Sequence, residues 1–180
     1  MSKAREILLG ITGSIAAYKA CDIIRRLQDE DCNVTVIMTK GAKQFITPLT
    51  LASLSGRKVY CEIFEENPAE MNHIVLAQRA DVFLIAPATA NIIGKIANGI
   101  ADDLLTCVAL VTKAKILIAP AMNTRMYENK IVQGNIVKLK NLNYGFINPA
   151  SGKLACGVMG EGHLADVEEI VKIVKRSFKK

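Results

Sequence analysis

ILIAPAMNTRMYEN, residues 116 to 129, decides the architecture. Ile116 to Ala119 is an apolar run of the kind that forms a parallel strand buried on both faces. It stops at Pro120, and Asn123, flanked by Met122 and Met126, stands where a helix would begin. DVFLIAP, residues 81 to 87, has the same form and is followed at once by Thr89 and Asn91. Apolar strands that alternate with polar turns and helical patterns predict an α/β fold, a single Rossmann-like or flavodoxin-like three-layer domain over residues 1–180 with a mostly parallel sheet covered by helices on both faces. Ligands of such sheets bind beyond the carboxyl ends of the strands. Asn123 is therefore placed either to cap a helix or to hold a ligand, and spacing alone favours the cap.

Working outward, Arg5 to Thr12 reads as a first strand and Ser14 to Glu30 as an amphipathic helix with Ala16, Ala20, Ile23, Ile24 and Leu27 on one face. Between them Gly10 and Gly13 permit a tight turn, and Ser14 with the free N–H groups of a helix start can receive a phosphate. The spacing is GxxGxxA, not the dinucleotide fingerprint, so a purely structural turn fits these residues equally well. The second strand, Cys32 to Thr39, ends in Thr39, Lys40 and Gly41 and lacks the acidic residue that would hold a ribose diol. Its hydroxyl and ammonium groups suit FMN or the 2′-phosphate of NADP better than NAD.

Lys43 to Gly56 reads as one or two short helices around Pro48, and Lys58 to Cys61 as a short strand. His73 lies in the irregular EENPAEMNHIVLAQRAD and reads, from its surroundings alone, as a packing residue. Helical patterns after Thr89 break at Gly99, with Asp102 and Asp103 capping the second. Lys130 to Lys140 is predicted helical, Gly145 to Asn148 a last short strand, and Val167 to Phe178 a closing helix with Val167, Ile170, Val171, Val174 and Phe178 inward. ASGKLACGVMGEGHLAD, residues 150 to 166, reads as a glycine-rich loop that folds over a ligand.

The composition narrows the function classes. The longest apolar runs fall far short of the roughly 20 residues a membrane crossing needs, and the N-terminus lacks a signal region, so no membrane association and a cytoplasmic location are expected. Cys21, Cys32, Cys61, Cys107 and Cys156 form no CxxC pair, which argues against a disulfide framework and against a metal site. The net charge of +6 comes from scattered Lys and Arg with one terminal cluster, KRSFKK, whose single aromatic residue, Phe178, is expected inward on the closing helix. A phosphorylated small molecule explains the basic excess equally well, and no nucleic-acid partner is expected.

Four separated segments, ITGSIAAYK, APATANIIGKIANGIADDLLT, PAMNTRMY and ACGVMGEGHLAD, together resemble the homo-oligomeric flavin-containing cysteine decarboxylases, nearest to those that act on 4′-phosphopantothenoylcysteine in coenzyme A biosynthesis. The resemblance spans almost the whole chain. It implies FMN as cofactor, with Gly13, Ser14 and Ile15 receiving its phosphate, Thr39 assisting, and Thr89, Ala90, Asn91, Ile92 and Ala121 lining the flavin. It implies His73 as base, Asn123 as holder of the substrate carboxylate, Cys156 as proton donor, and Met126 and Met159 as further substrate contacts. It implies a homo-oligomer, a trimer that in relatives often assembles into a dodecamer, with the active site between subunits so that His73 serves a neighbour's flavin. Many relatives continue into a synthase domain that makes the substrate, for which this chain has no room, so a separate phosphopantothenate–cysteine ligase is the partner expected. Two positions depart from the family pattern: Tyr127 replaces a Trp, and His163 follows the GxG of the glycine-rich segment where relatives often carry a different polar residue.

The implied chemistry is coherent. Direct loss of CO2 from an N-acyl cysteine leaves an unstabilised carbanion, whereas two-electron oxidation at the thiol-bearing carbon gives a thioaldehyde, into whose sulfur the electrons can flow as an enethiolate. Imidazole titrates close to neutrality and suits removal of the thiol proton, a neutral Asn can position a carboxylate without holding its charge, and a thiol is largely protonated near neutral pH and so can donate. A peptidyl-cysteine decarboxylase, a flavin prenyltransferase, a non-catalytic flavin-binding regulatory subunit and an NADP-dependent reductase are the alternatives that the residues leave open.

Overall fold

The computed structural model describes residues 4–64, 72–153 and 159–178. Its centre is a six-stranded sheet of β1 (Arg5–Ile11), β2 (Cys32–Met38), β3 (Val59–Tyr60), β4 (Val82–Ala88), β5 (Lys115–Pro120) and β6 (Gly145–Phe146), in the order β3-β2-β1-β4-β5-β6 with every neighbouring pair parallel. The strand order reverses direction between β1 and β4, which is where doubly wound sheets open a crevice for a ligand.

Alternation along the strands divides the core in two. Ile7, Leu9, Ile11, Val34, Val36 and Leu84 face a layer built from α1 (Ala20–Gln28), α2 (Pro48–Ser55) and α8 (Val167–Ser177). Leu8, Ile37, Phe83, Ile85 and Ile118 face α3 (Asn72–Arg79), α4 (Ala90–Ala97), α5 (Leu104–Val111) and α7 (Lys130–Asn141). β4 is buried along its whole length, which is why its sequence is a continuous apolar run rather than an alternating one. At Gly10 a Cβ would lie 2.8 Å from Leu105 Cδ1, so the absence of a side chain is what lets α5 close onto β1.

The caps explain where helices begin. Thr47 accepts from Thr50 N ahead of Pro48, and Asp103 and Thr106 form a reciprocal capping box at the start of α5. Asp103 is thus the cap its sequence position indicated, while Asp102 does something else, described below. The closing helix buries Val167, Ile170, Val171 and Val174, and Phe178 packs partly on the same core with Arg5 over its ring.

Two local readings differ from what forms. The stretch expected as one helix from Ser14 is a 3-10 segment, Ile15–Lys19, that leads into α1; Ser14 Oγ accepts from Ala16 N, a contact two residues along that tightens the first turn. The stretch expected as a glycine-rich loop contains an antiparallel hairpin, β7 (Ala150–Lys153) and β8 (Met159–His163). Among the described residues no helix is long and apolar enough to cross a membrane, and no group of three or more potential metal ligands occurs.

Candidate active site

The turns that leave β1, β2, β4 and β5 surround one cleft of about 940 Å³, within the range of about 300–1,000 Å³ usual for small-molecule and cofactor sites. Each turn has a physical reason for its shape. After β1, Ser14 N donates to Thr12 O at 2.8 Å, and Gly13 comes so near the turn after β2 that a Cβ on it would lie 3.1 Å from the Gly41 backbone. After β2, Thr39 N donates to Ile11 O at 3.0 Å, and Thr39 Oγ1 accepts from Ala42 N at 3.3 Å. Thr89 caps α4 by accepting from Ile92 N. After β5, Ala121 N donates to Ala88 O at 2.9 Å, which ties this exit to that of β4.

Thr12 joins two of these exits, a role that reading the sequence missed. Its side chain is buried; Oγ1 donates to Pro87 O at 2.7 Å and accepts from Thr89 N at 3.1 Å. One hydroxyl therefore satisfies a carbonyl and an amide at the crossover between β1 and β4. Nothing in the local sequence announces it, because its partners lie 75 and 77 residues away.

Every residue expected to touch the cofactor lines this cleft: Gly13, Ser14, Ile15, Thr39, Thr89, Ala90, Asn91, Ile92 and Ala121. The set fits a phosphorylated molecule with a flat apolar ring. Hydroxyls of Ser14 and Thr39 and ammonium groups of Lys19 and Lys40 surround the glycine cradle, while Ile92, Ala121 and Met122 supply apolar wall.

Asn123 lines the same cleft and also caps α6 (Thr124–Tyr127): its Oδ1 accepts from Arg125 N at 2.9 Å. The cap and the ligand-facing position are thus one residue. Met126 stands beside it, half exposed. Two glycines seat the hairpin on this turn. Met122 N donates to Gly162 O at 2.9 Å, and Gly162, at φ +137°, leaves no room for a Cβ against Met122 O; a Cβ on Gly160 would collide with Thr124. Met159 begins β8, and Cys156 lies outside the described residues.

His73 is not among the residues that line the cleft; it is half-buried on α3, a helix that packs along α5. Lys95, which also lines the cleft, donates through Nζ to Asp102 at 2.7 Å and 2.9 Å and to Asp103 at 3.3 Å. The hydrogen bond to Asp102 raises the Lys95 ammonium above its ordinary value, and the same bond holds the Asp102 carboxyl below its own. Tyr127, where the family pattern has Trp, packs against the α4–α7 core; burial and the charge of Glu161 push its phenol up.

A family model described as Flavoprotein matches residues 1–179. The chain is 48% identical over 177 residues to the probable phosphopantothenoylcysteine decarboxylase of Streptococcus mutans, covering 97% of this chain and 99% of that protein. It is also 48% identical over 179 residues to the coenzyme A biosynthesis bifunctional protein CoaBC of Bacillus subtilis, covering 99% of this chain but 44% of the relative, so the chain spans less than half the length of the bifunctional proteins it matches. Among solved structures, a mutant PPC decarboxylase complexed with pantothenoylaminoethenethiol superposes with a TM-score of 0.87 at 30% identity, covering 99% of this chain and 100% of that one. The FMN-dependent cysteine decarboxylase SpaF superposes with a TM-score of 0.82 at 27% identity, covering 97% of each chain.

Proposed function

This chain belongs to the Flavoprotein family, and from that premise we propose that it decarboxylates 4′-phosphopantothenoyl-L-cysteine to 4′-phosphopantetheine and CO2, with FMN held in the cleft, as a step of coenzyme A biosynthesis. One observation carries the reading: the phosphate-facing turns, the apolar wall and Asn123 converge on a single cleft at the carboxyl ends of four adjacent strands. The near full-length identity to a relative named for this activity supports it.

Gly13, Ser14 and Ile15 would hold the FMN phosphate with Thr39, and Thr89 to Ile92 with Ala121 would bound the ring. When bound, FMN supplies a two-electron sink for the carbon that bears the substrate thiol. Asn123 positions the carboxylate with amide N–H donors and no net charge, so CO2 is not held back by an ion pair as it would be by lysine. Met126 and Met159 bound the substrate beside it. Cys156 returns a proton to carbon after CO2 leaves, a step that exclusion of water favours.

His73 removes the substrate thiol proton. Because it does not line the cleft of its own chain, we place it at the cleft of a neighbouring copy in a homotrimer, which further assembly would extend to a dodecamer. The reading treats residues 1–180 as one flavoprotein domain that works in the cytoplasm and takes its substrate from a phosphopantothenate–cysteine ligase. The bifunctional architecture of the relatives supports that pairing.

The test incubates FMN-loaded protein with 4′-phosphopantothenoylcysteine and follows the product by mass. Appearance of 4′-phosphopantetheine is expected. Preferential decarboxylation of a peptide with a C-terminal cysteine would transfer the assignment to peptide maturation, and a flavin-loaded oligomer that releases no CO2 from either would leave a regulatory flavin-binding role.

A further inference from the structure

Deepening the reading above, on which it rests, we infer that His163 is a specificity-determining residue whose Nε2–H donates to the carboxylate end of the substrate, beside Asn123. His163, the last residue of β8, lines the cleft together with Gly162 and Leu164. Its Cε1–Nδ1 edge faces the partner strand, where a Cβ on Gly152 would lie 3.4 Å from both atoms. Nδ1 is buried and has no hydrogen-bond partner among the described residues.

That orphaned nitrogen bears on which side of the ring can donate. A neutral imidazole carries one N–H and one bare nitrogen, and a buried N–H without an acceptor is a rarer and costlier arrangement than a buried acceptor without a donor. Nδ1 is thus the nitrogen better left bare, and Nε2–H is the donor assigned to the substrate.

The hairpin's seating fixes which part of a ligand it meets. Met122 N donates to Gly162 O, and Gly162 has no Cβ because Met122 O occupies that position. His163 is thereby held one residue from the contact that anchors the Asn123 turn. The glycine cradle with Lys40 follows β1 and β2, on the other side of β4 from β5. An N–H donor there would orient the carboxylate from beside the Asn123 amide.

The test compares FMN-loaded wild type with His163→Leu, which removes the donor at similar volume, and His163→Gln, whose side-chain amide restores an N–H near the same place. Steady-state kinetics with 4′-phosphopantothenoylcysteine are paired with calorimetric titration of 4′-phosphopantetheine, which shares the phosphate and pantetheine arm but has no carboxylate. Loss of one hydrogen bond to the carboxylate predicts a KM raised at least about tenfold in His163→Leu with kcat changed far less, and His163→Gln within about threefold of wild type. The Kd of 4′-phosphopantetheine stays unchanged in both variants. Equal weakening of 4′-phosphopantetheine and substrate would put the contact on the shared arm and overturn the assignment, as would an unchanged KM in His163→Leu or a failure of His163→Gln to rescue. Should wild type release no CO2 from the substrate, the decarboxylase reading falls and takes this assignment with it; the pattern among variants overturns the assignment alone.

Discussion

Thr12→Val isolates the link that holds two edges of the cleft together. Valine nearly matches threonine in volume, so packing is preserved while the hydroxyl that donates to Pro87 O at 2.7 Å and accepts from Thr89 N at 3.1 Å is lost. With the site 2% exposed, water cannot replace it and both backbone groups lose their partner. At about 1 to 1.5 kcal/mol for each lost bond the variant should be destabilised by about 2 to 3 kcal/mol. For a domain of this size that corresponds to a fall in Tm of about 4 to 12 °C. Thr12→Ser keeps the hydroxyl and loses one methyl, and should cost about 0.8 kcal/mol. Because Thr89 begins the wall that Thr89 to Ile92 form, FMN affinity measured by fluorescence titration should fall in the valine variant and hold in the serine one. Urea unfolding of the two proteins decides the matter: a valine variant within about 0.5 kcal/mol of the serine variant would refute the idea that this hydroxyl joins the exits of β1 and β4.

Other perturbations separate the parts of the site. Gly162→Ala forces a Cβ against Met122 O at a φ suited to glycine, a local cost of about 1 to 3 kcal/mol that should unseat the hairpin, raising the substrate KM while FMN binding persists; loss of FMN with an unchanged KM would contradict this seating. Asn123→Asp keeps an equally good N-cap, so unfolding free energy and FMN content should match wild type while turnover is lost to charge repulsion, and normal turnover would remove Asn123 from the carboxylate. Lys95 holds the Asp102 carboxyl below its ordinary value, so its stabilising contribution is present above about pH 4 and is lost as pH falls through the depressed folded-state value. Asp102→Asn should therefore flatten the acid limb of a stability–pH profile, and an Asp102 NMR titration midpoint at or above that of a free carboxylate would exclude the pairing.

The sheet was legible because burial on two faces leaves a strong signature. β4 and β5 announced themselves as apolar runs that end at or beside a proline, and β1 and α8 through the spacing of apolar residues that face one core. The cofactor turns were legible from resemblance more than from spacing, since GITGS departs from the dinucleotide fingerprint. Where the reading slipped, competing short-range physics was responsible. Over five residues a 3-10 segment and an α-helix place side chains on nearly the same face, so periodicity could not separate Ile15–Lys19 from the helix that follows. In the 150–166 stretch glycines interrupt the alternation that marks a strand, and the hairpin stayed hidden because Gly160 and Gly162 serve contacts with Thr124 and Met122.

What no local pattern encodes is how the exits are joined. Gly13 meets Gly41, Thr12 bridges Pro87 and Thr89, and Met122 bonds to Gly162, each contact crossing between separate turns. These joints share one physical character: they bring backbone to backbone, either directly at a residue without a side chain or through one small hydroxyl. A cleft assembled this way is stiff where cofactor phosphate and ring would rest, since its lining turns are bonded to one another and to the ends of neighbouring strands around the buried β4. It is comparatively weakly anchored on the substrate side, where a two-stranded hairpin stands apart from that sheet and touches the Asn123 turn through two glycines and one hydrogen bond. The division matches what the proposed reaction requires, because a cofactor that remains bound gains from a fixed cradle while a substrate and its product must enter and leave past the hairpin on every turnover.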